Sequence, residues 1–258
     1  VARDWTVRGT SRDPAMRAIE GVEMFRFDRT TPLPDEALAG VTHVLTSIAP
    51  DDAGDPVLDV EGARLAVCRT LAWAGYLGTT AVYGDRDGGW VDETAELAPT
   101  SSRGRRRVAA EHAWLASGLP VHIFRLAGIY GPGRSAVDQL RAGTARRIVK
   151  PGQVFSRIHV ADIATVLEAS IARPHPGRVY NVCDDEPAPP QDVVAYAAAR
   201  LGLPVPPELP FETAELSPMA RSFYTDNRRV SNARIKAELG VRLEYPTYRA
   251  GMDALAAV

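Results

Sequence analysis

Cysteine is nearly absent: Cys68 and Cys183 are the two in 258 residues, far apart and outside any metal-ligand spacing. That excludes a disulfide scaffold and a cysteine-based metal centre. It fits two reduced thiols in or near the core of a cytoplasmic protein, with no metal expected. No apolar run approaches the ~20 residues needed to span a bilayer, so no membrane partner is expected. Neither sign of charge dominates. Thirty Lys and Arg against 32 Asp and Glu leave a formal net charge of -2, which gives bulk attraction neither to nucleic acid nor to an anionic membrane. Low-complexity segments and internal repeats are also missing. The first residues, Val1-Ala2-Arg3-Asp4, do not read as a signal peptide, and position 1 is not methionine.

What is present is alternation. Strands are expected at Trp5–Gly9, Val22–Asp28, Thr42–Ile48, Gly75–Thr80 and Val121–Leu126. Helical spacing falls at 14–20, after Pro34, at 57–73, at about 104–117, at 191–201 and at 230–239. Strands alternating with helices predict an α/β fold with a parallel sheet covered on both faces. Ligands of such sheets sit beyond the carboxyl ends of the strands, where Thr10, Arg12, Asp28, Ser47, Thr79, Tyr83 and Tyr130 fall. From about Gly131 the prolines cluster and the texture becomes irregular. The expected division is a core of residues 1–130 and 158–182 with a smaller lobe of 131–157 and 183–258 over the strand ends.

Four segments carry a family resemblance. Gly78-Thr79-Thr80-Ala81-Val82-Tyr83-Gly84 resembles the Ser/Thr-x-x-x-Tyr-Gly stretch of the extended short-chain dehydrogenases/reductases. Arg125-Leu126-Ala127-Gly128-Ile129-Tyr130-Gly131-Pro132-Gly133 resembles their Arg-x-x-x-x-Tyr-Gly-Pro-Gly turn. Arg157-Ile158-His159-Val160-Ala161-Asp162 resembles their Ile-His-Val-x-Asp helix start, and Val179-Tyr180-Asn181-Val182 their Tyr-Asn-Val strand. The four occur in family order across almost the whole chain. The resemblance implies a Rossmann-type doubly wound sheet, a bound NAD or NADP and a C-terminal substrate lobe, as in NAD(P)-dependent epimerases and dehydratases.

Two departures mark the chain as atypical. The family opens with a strand and a Gly-x-x-Gly-x-x-Gly loop whose N–H groups meet the pyrophosphate. Here the first strand matches the family's second. A preceding strand–loop–helix unit of roughly 25–35 residues is therefore expected, and a polypeptide starting at Val1 is expected to bind either dinucleotide weakly. The family's catalytic Tyr-x-x-x-Lys aligns with Arg103 and Arg107, ahead of Val108-Ala109-Ala110-Glu111. Arginine keeps its proton near neutrality, so the usual reductase chemistry does not transfer directly.

The candidate catalytic residues are Thr79, Tyr83, Arg103 and Arg107. Thr79 aligns with the family's catalytic hydroxyl and reads equally as a turn cap. Tyr83 can stand in as proton donor or pack in its turn. Arg103 and Arg107 face a substrate anion or belong to a solvated basic helix face with Arg105 and Arg106. Candidate cofactor residues are Thr10, Ser11, Arg12, Asp28, Ser47, Ile48, Ala49 and Thr79. Arg12 with two hydroxyls suits a 2′-phosphate, which favours NADP over NAD; the other reading is an exposed loop arginine. Asp28 resembles the family's acid at the adenine amino group. Tyr130 and Arg157 are the candidate substrate residues. His159 reads as helix entry or as acid/base, and Asp162 as structural.

The leading expectation is an NAD(P)-binding oxidoreductase or epimerase/dehydratase-like enzyme acting on a small polar or sugar-like substrate. The alternative is an inactive dinucleotide sensor or scaffold. A homodimer is open to either.

Overall fold

A computed structural model describes residues 5–258; the reading of Val1–Asp4 lies outside them. β1 (Val7–Ser11) and β2 (Val22–Arg26) pair in parallel, Val7 opposite Val22 and Ser11 opposite Arg26. Then follow α1 (Asp35–Leu38), β3 (His43–Thr46), α2 (Pro56–Ala66), β4 (Trp73–Thr79), β5 (Trp90–Val91), α3 (Ser102–Ala116) and β6 (Val121–Leu126). After β7 (Gly128–Tyr130) come α4 (Ala136–Arg141), β8 (Arg147–Val149), β9 (Arg157–His159), α5 (Val160–Ala172) and β10 (Val179–Val182). The chain ends with α6 (Pro190–Arg200), β11 (Glu208–Pro210), α7 (Pro218–Ser222), β12 (Arg229–Val230), α8 (Ala233–Leu239) and α9 (Tyr248–Ala256).

Local chemistry fixes the main elements. Asp55 accepts from the N–H groups of Val57 and Leu58 and caps α2, with Pro56 opening the helix. Ser101 caps α3 through the N–H of Gly104. The strands β3, β4, β6 and β10 form one parallel sheet in the order β10-β6-β4-β3. Period-two alternation splits its residues between two cores. Trp73, Phe124, Tyr180 and Val182 pack with Ile163 and Val166 of α5 and Ile235 of α8 on one face. Tyr76, Val121 and Ile123 pack with Ala110 and Trp114 of α3 on the other. A third cluster joins α4, α6 and α9 through Val137, Leu140, Val194, Ala197 and Met252. The α/β, Rossmann-type class expected from the sequence is what the chain adopts.

The β1–β2 pair is a separate sheet and shares no ladder with β3. The family resemblance places a central strand between them, which none of the described residues supplies. Leu45 of β3 is 51% exposed, an apolar residue left open in an edge strand.

Three expectations need correction. Residues 14–20 form one short 3-10 turn, Ala15–Arg17, because they bury no apolar face. The helix expected over 57–73 stops at Ala66, and Trp73 already begins β4; the apolar run Leu71-Ala72-Trp73-Ala74 leads into a buried strand, which periodicity alone does not separate from a helix. α8, in a stretch assigned to the lobe, packs on the sheet through Ile235 and Leu239.

Candidate functional site

A cavity of about 1040 Å³ lies at the carboxyl ends of β3, β4 and β6, between them and α4, α6 and α7. Ser47, Thr79, Arg107, Tyr130 and Arg157 line it, so five of the residues singled out in the sequence come together there. Sheet geometry explains the first two: Ser47 follows β3 and Thr79 ends β4, each at the carboxyl end of its strand.

Thr79 serves both of its readings. Its Oγ1 accepts from the N–H of Ala81 at 3.2 Å, capping the 3-10 turn Thr80–Tyr83, while the residue lines the cavity. The hydroxyl proton is not consumed by that bond and is available to a ligand oxygen. Arg107, on α3, reaches back to the strand tip: its Nη1 donates to the Leu77 carbonyl at 2.9 Å and to the Tyr76 hydroxyl at 3.0 Å. Arg103, one turn earlier, points the other way. It donates to Ser222 Oγ at 3.0 Å and lies 5.8 Å from the Phe223 ring centre, clasping α7 rather than lining the cavity.

Tyr83 is fully buried. Its hydroxyl donates to Asn181 Oδ1 at 2.7 Å and accepts from Arg125 Nη1 at 2.9 Å. Arg125 in turn donates to Glu111 Oε2 from Nη2 at 2.8 Å and from Nε at 3.0 Å. Gly78 leaves room for this pair, since a Cβ there would stand 3.0 Å from Glu111 Oε1. Burial pushes the Tyr83 hydroxyl above its ordinary pKa. Of the two readings of Tyr83, the geometry fits packing in its turn: the hydroxyl is engaged in a buried network and does not line the cavity. His159 is also structural. Its Nδ1 accepts from the Ala161 N–H at 3.2 Å and caps α5, and burial lowers its pKa. Asp162 accepts from the N–H groups of Glu244 and Tyr245 at 2.7 and 3.1 Å, pinning the segment before α9.

The remaining cofactor candidates sit outside the cavity, at the carboxyl ends of β1, β2 and β3. Ser11 Oγ accepts from the Asp13 N–H and shapes its own loop. Arg12 and Thr10 are exposed. Asp28 Oδ1 accepts from the N–H and hydroxyl of Thr30, which holds its carboxyl at about 2. Ile48 is half-buried and Ala49 exposed.

Sequence reasoning missed Asp184. It is buried, its Oδ2 has no hydrogen-bond partner, and burial pushes its carboxyl up to about 8. The Tyr130 hydroxyl is likewise buried without a partner. Nothing local in the sequence signals either condition, because both depend on tertiary packing, in the case of Tyr130 against Gly251 of α9. The lobe arginines Arg134 and Arg146 also line the cavity and escaped notice, since they lie far from Thr79 in the chain.

The residues present suit a dinucleotide at two places. Ser47, Thr79 and Arg107 offer hydroxyls and a cation at the strand tips inside the cavity, the nicotinamide side of the expected arrangement. Arg12 and Asp28 follow β1 and β2, where the expected arrangement would put the adenosine side. A glycine-rich pyrophosphate loop is not among the described residues. No helix of these residues is long and apolar enough to cross a membrane.

No family model matches the chain. A solved structure of a functionally unknown conserved protein from Silicibacter pomeroyi DSS is 60% identical, covers 99% of this chain and 91% of that one, and superposes with a TM-score of 0.93. A candidate NAD-dependent epimerase/dehydratase from Methylobacillus flagellatus is 28% identical over 99% of this chain and 90% of that one, TM-score 0.74. dTDP-glucose 4,6-dehydratase from Bacillus anthracis, solved with NAD, shares the fold at 18% identity and TM-score 0.70, over 94% of this chain and 81% of that one. Among curated proteins, YeeZ of Escherichia coli K12 is 33% identical over 175 residues, 66% of this chain and 58% of that protein. The 3-diazoavenalumate denitrifying reductase of a Streptomyces species is 29% identical over 143 residues, 50% of this chain and 45% of that protein. The chain thus spans a little over half the length of YeeZ and a little under half that of the reductase.

Proposed function

We propose that the chain, an atypical relative of the epimerase/dehydratase branch of the extended short-chain dehydrogenases/reductases, is an NAD(P)-dependent oxidoreductase. The observation that carries the reading is the cavity at the strand ends, where Ser47, Thr79 and Arg107 meet the C-terminal lobe. A nicotinamide dinucleotide would supply hydride transfer there. Thr79 would orient and polarise a substrate oxygen through its hydroxyl. Arg107, fixed by the Leu77 carbonyl, would hold positive charge beside the reacting group. Residues 131–157 and 183–258 would form most of the lobe that excludes water. Arg12 would take the 2′-phosphate of NADP, and Asp28 would face the adenine.

One observation favours a second reading, a dinucleotide sensor without turnover. Arg103 and Arg107 replace the family's proton donor and its partner, and both are engaged in structural bonds. Calorimetric titration of the full-length protein with NADP and NAD tests the cofactor. Arg12→Ala should weaken NADP by about 10–100-fold, the equivalent of ~1.5–3 kcal/mol for a charge-assisted contact, and leave NAD unchanged. Equal losses would reject the 2′-phosphate role, and failure to bind either dinucleotide would reject the oxidoreductase. Oxidation of NADPH across a panel of carbonyl compounds separates the enzyme from the sensor.

A further inference from the structure

The cavity is far more cationic than the protein around it. The chain carries a net charge of -2, yet five arginines line the cavity against one carboxylate, Asp226. That carboxylate is already committed: its oxygens meet Arg228 at 3.0 Å and the Thr100 hydroxyl at 2.6 Å. The other four guanidiniums have no carboxylate within ion-pair distance among the described residues. Arg107 is bonded to a carbonyl and a phenol, Arg146 to the Glu215 carbonyl, and Arg157 to the carbonyls of Phe155 and Ala188. The Arg134 side chain has no protein partner among the described residues. Asp184 does not restore the balance behind Arg157. It is buried and, with its carboxyl at about 8, neutral near pH 7.

The rest of the lining narrows the ligand. Polyols are held by side chains that accept as well as donate. Among the lobe hydroxyls, Ser135 donates to Asp138 and Thr144 to the Gln139 carbonyl, while Ser156 and Ser217 accept from the N–H groups of Val230 and Ala220. The lobe wall instead presents Ile148, Val154, Leu216, Met219, Phe223 and Tyr224. Tyr224 is held rigid by Phe211, stacked at 5.0 Å, and by Phe155, edge-on at 5.3 Å. We propose that the substrate of this site is an organic carboxylate with an apolar, planar body, its acid group held by the guanidiniums of Arg134 and Arg146 and its body laid against Tyr224 and Phe223. The proposal rests on the reading of this cavity as the substrate site of an oxidoreductase. It replaces the sugar-like substrate expected from the sequence. Arg134 and Arg146 stand exposed at the cavity with no carboxylate partner among the described residues, so an entering carboxylate gains charge-assisted hydrogen bonds from them while the apolar wall takes the body.

Binding without cofactor tests this apart from the dinucleotide. The full-length protein is titrated calorimetrically with 3-phenylpropanoate, with 3-phenylpropanamide and with UDP-glucose. The acid should bind saturably, at least tenfold more tightly than its amide. The double variant Arg134→Gln/Arg146→Gln should erase that preference while leaving the amide and the thermal unfolding midpoint unchanged. Both side chains are exposed, so the variant should fold. Equal binding of acid and amide, or an acid preference that survives in the double variant, overturns the proposal. So does UDP-glucose binding more tightly than the acid and displacing it, since the arginines would then serve a nucleotide diphosphate. A protein that binds the acid but neither NAD nor NADP would keep the carboxylate site and lose the oxidoreductase.

Discussion

Replacing Tyr83 by Phe separates a packing role from a catalytic one. The substitution removes a single hydroxyl from a site with no solvent exposure. Two partners lose a bond: Arg125 Nη1, which donates to it at 2.9 Å, and Asn181 Oδ1, which accepts from it at 2.7 Å. A bond to a charged donor contributes ~1.5–3 kcal/mol, and leaving a buried acceptor unsatisfied costs ~1–3 kcal/mol. Part of this is offset. Arg125 keeps both bonds to Glu111 and stays over the ring, 5.0 Å from its centre, and Asn181 Nδ2 still donates to the Ser231 carbonyl. The expected loss is about 2–4 kcal/mol, read as a lower urea midpoint with an unchanged slope. Dinucleotide affinity of the folded variant should stay within about twofold, because the hydroxyl does not line the cavity. Wild-type stability combined with lost turnover would refute the reasoning and return Tyr83 to the catalytic set.

Two further substitutions probe the buried floor of the lobe. Asp184 has a folded-state pKa of about 8 against an ordinary 3.8, so its contribution to stability is fully present below pH 3.8 and is lost as pH rises through about 8. Asp184→Asn should therefore gain on the wild type in urea unfolding as pH goes from acid to alkaline, by about 6 kcal/mol at most; a difference that does not change with pH would contradict this. In Gly251→Ala the new Cβ would stand 2.1 Å from the Tyr130 hydroxyl and 2.6 Å from its ring, so α9 must shift. Overpacking of this kind costs ~1–3 kcal/mol, about 2–10 °C in Tm, and an unchanged melting temperature by calorimetry would show that the helix yields freely.

Much of the fold was legible because it is written locally. Val121–Leu126 is a strand with the expected limits, bounded by Pro120 and buried along its whole length. The long helix begins where Ser101 can cap it and ends before Gly118. Errors fell where one pattern has two meanings, as in the apolar run entering β4. At the site, the sequence located residues but not the direction of their side chains. Arg103 and Arg107 lie four apart on one helix, yet one clasps α7 and the other the tip of β4. Tyr83 follows Thr79 by four residues, and a single 3-10 turn carries it from the strand tip into the core. The charge of the cavity was not legible at all. It is assembled from Arg107, Arg134, Arg146, Arg157 and Arg228, which come from separate elements and form no local cluster.

The two arginines on α3 connect these observations. A tyrosine and lysine at their positions would offer a titratable proton above the strand tip. Arginine offers none near neutral pH, and each guanidinium has a mechanical task instead. Arg107 ties the helix to Leu77, two residues from Thr79, and so fixes the strand tip that presents the hydroxyl. Arg103 holds Ser222 and Phe223, and Phe223 is part of the apolar wall. The same helix face thus positions the polar end of the cavity and one side of its apolar end. On the proposed reading, such a site would draw on placement and electrostatics, with Thr79 and the arginines holding the reacting groups. With arginine at both positions, this helix face brings no general acid to the strand tip near neutral pH.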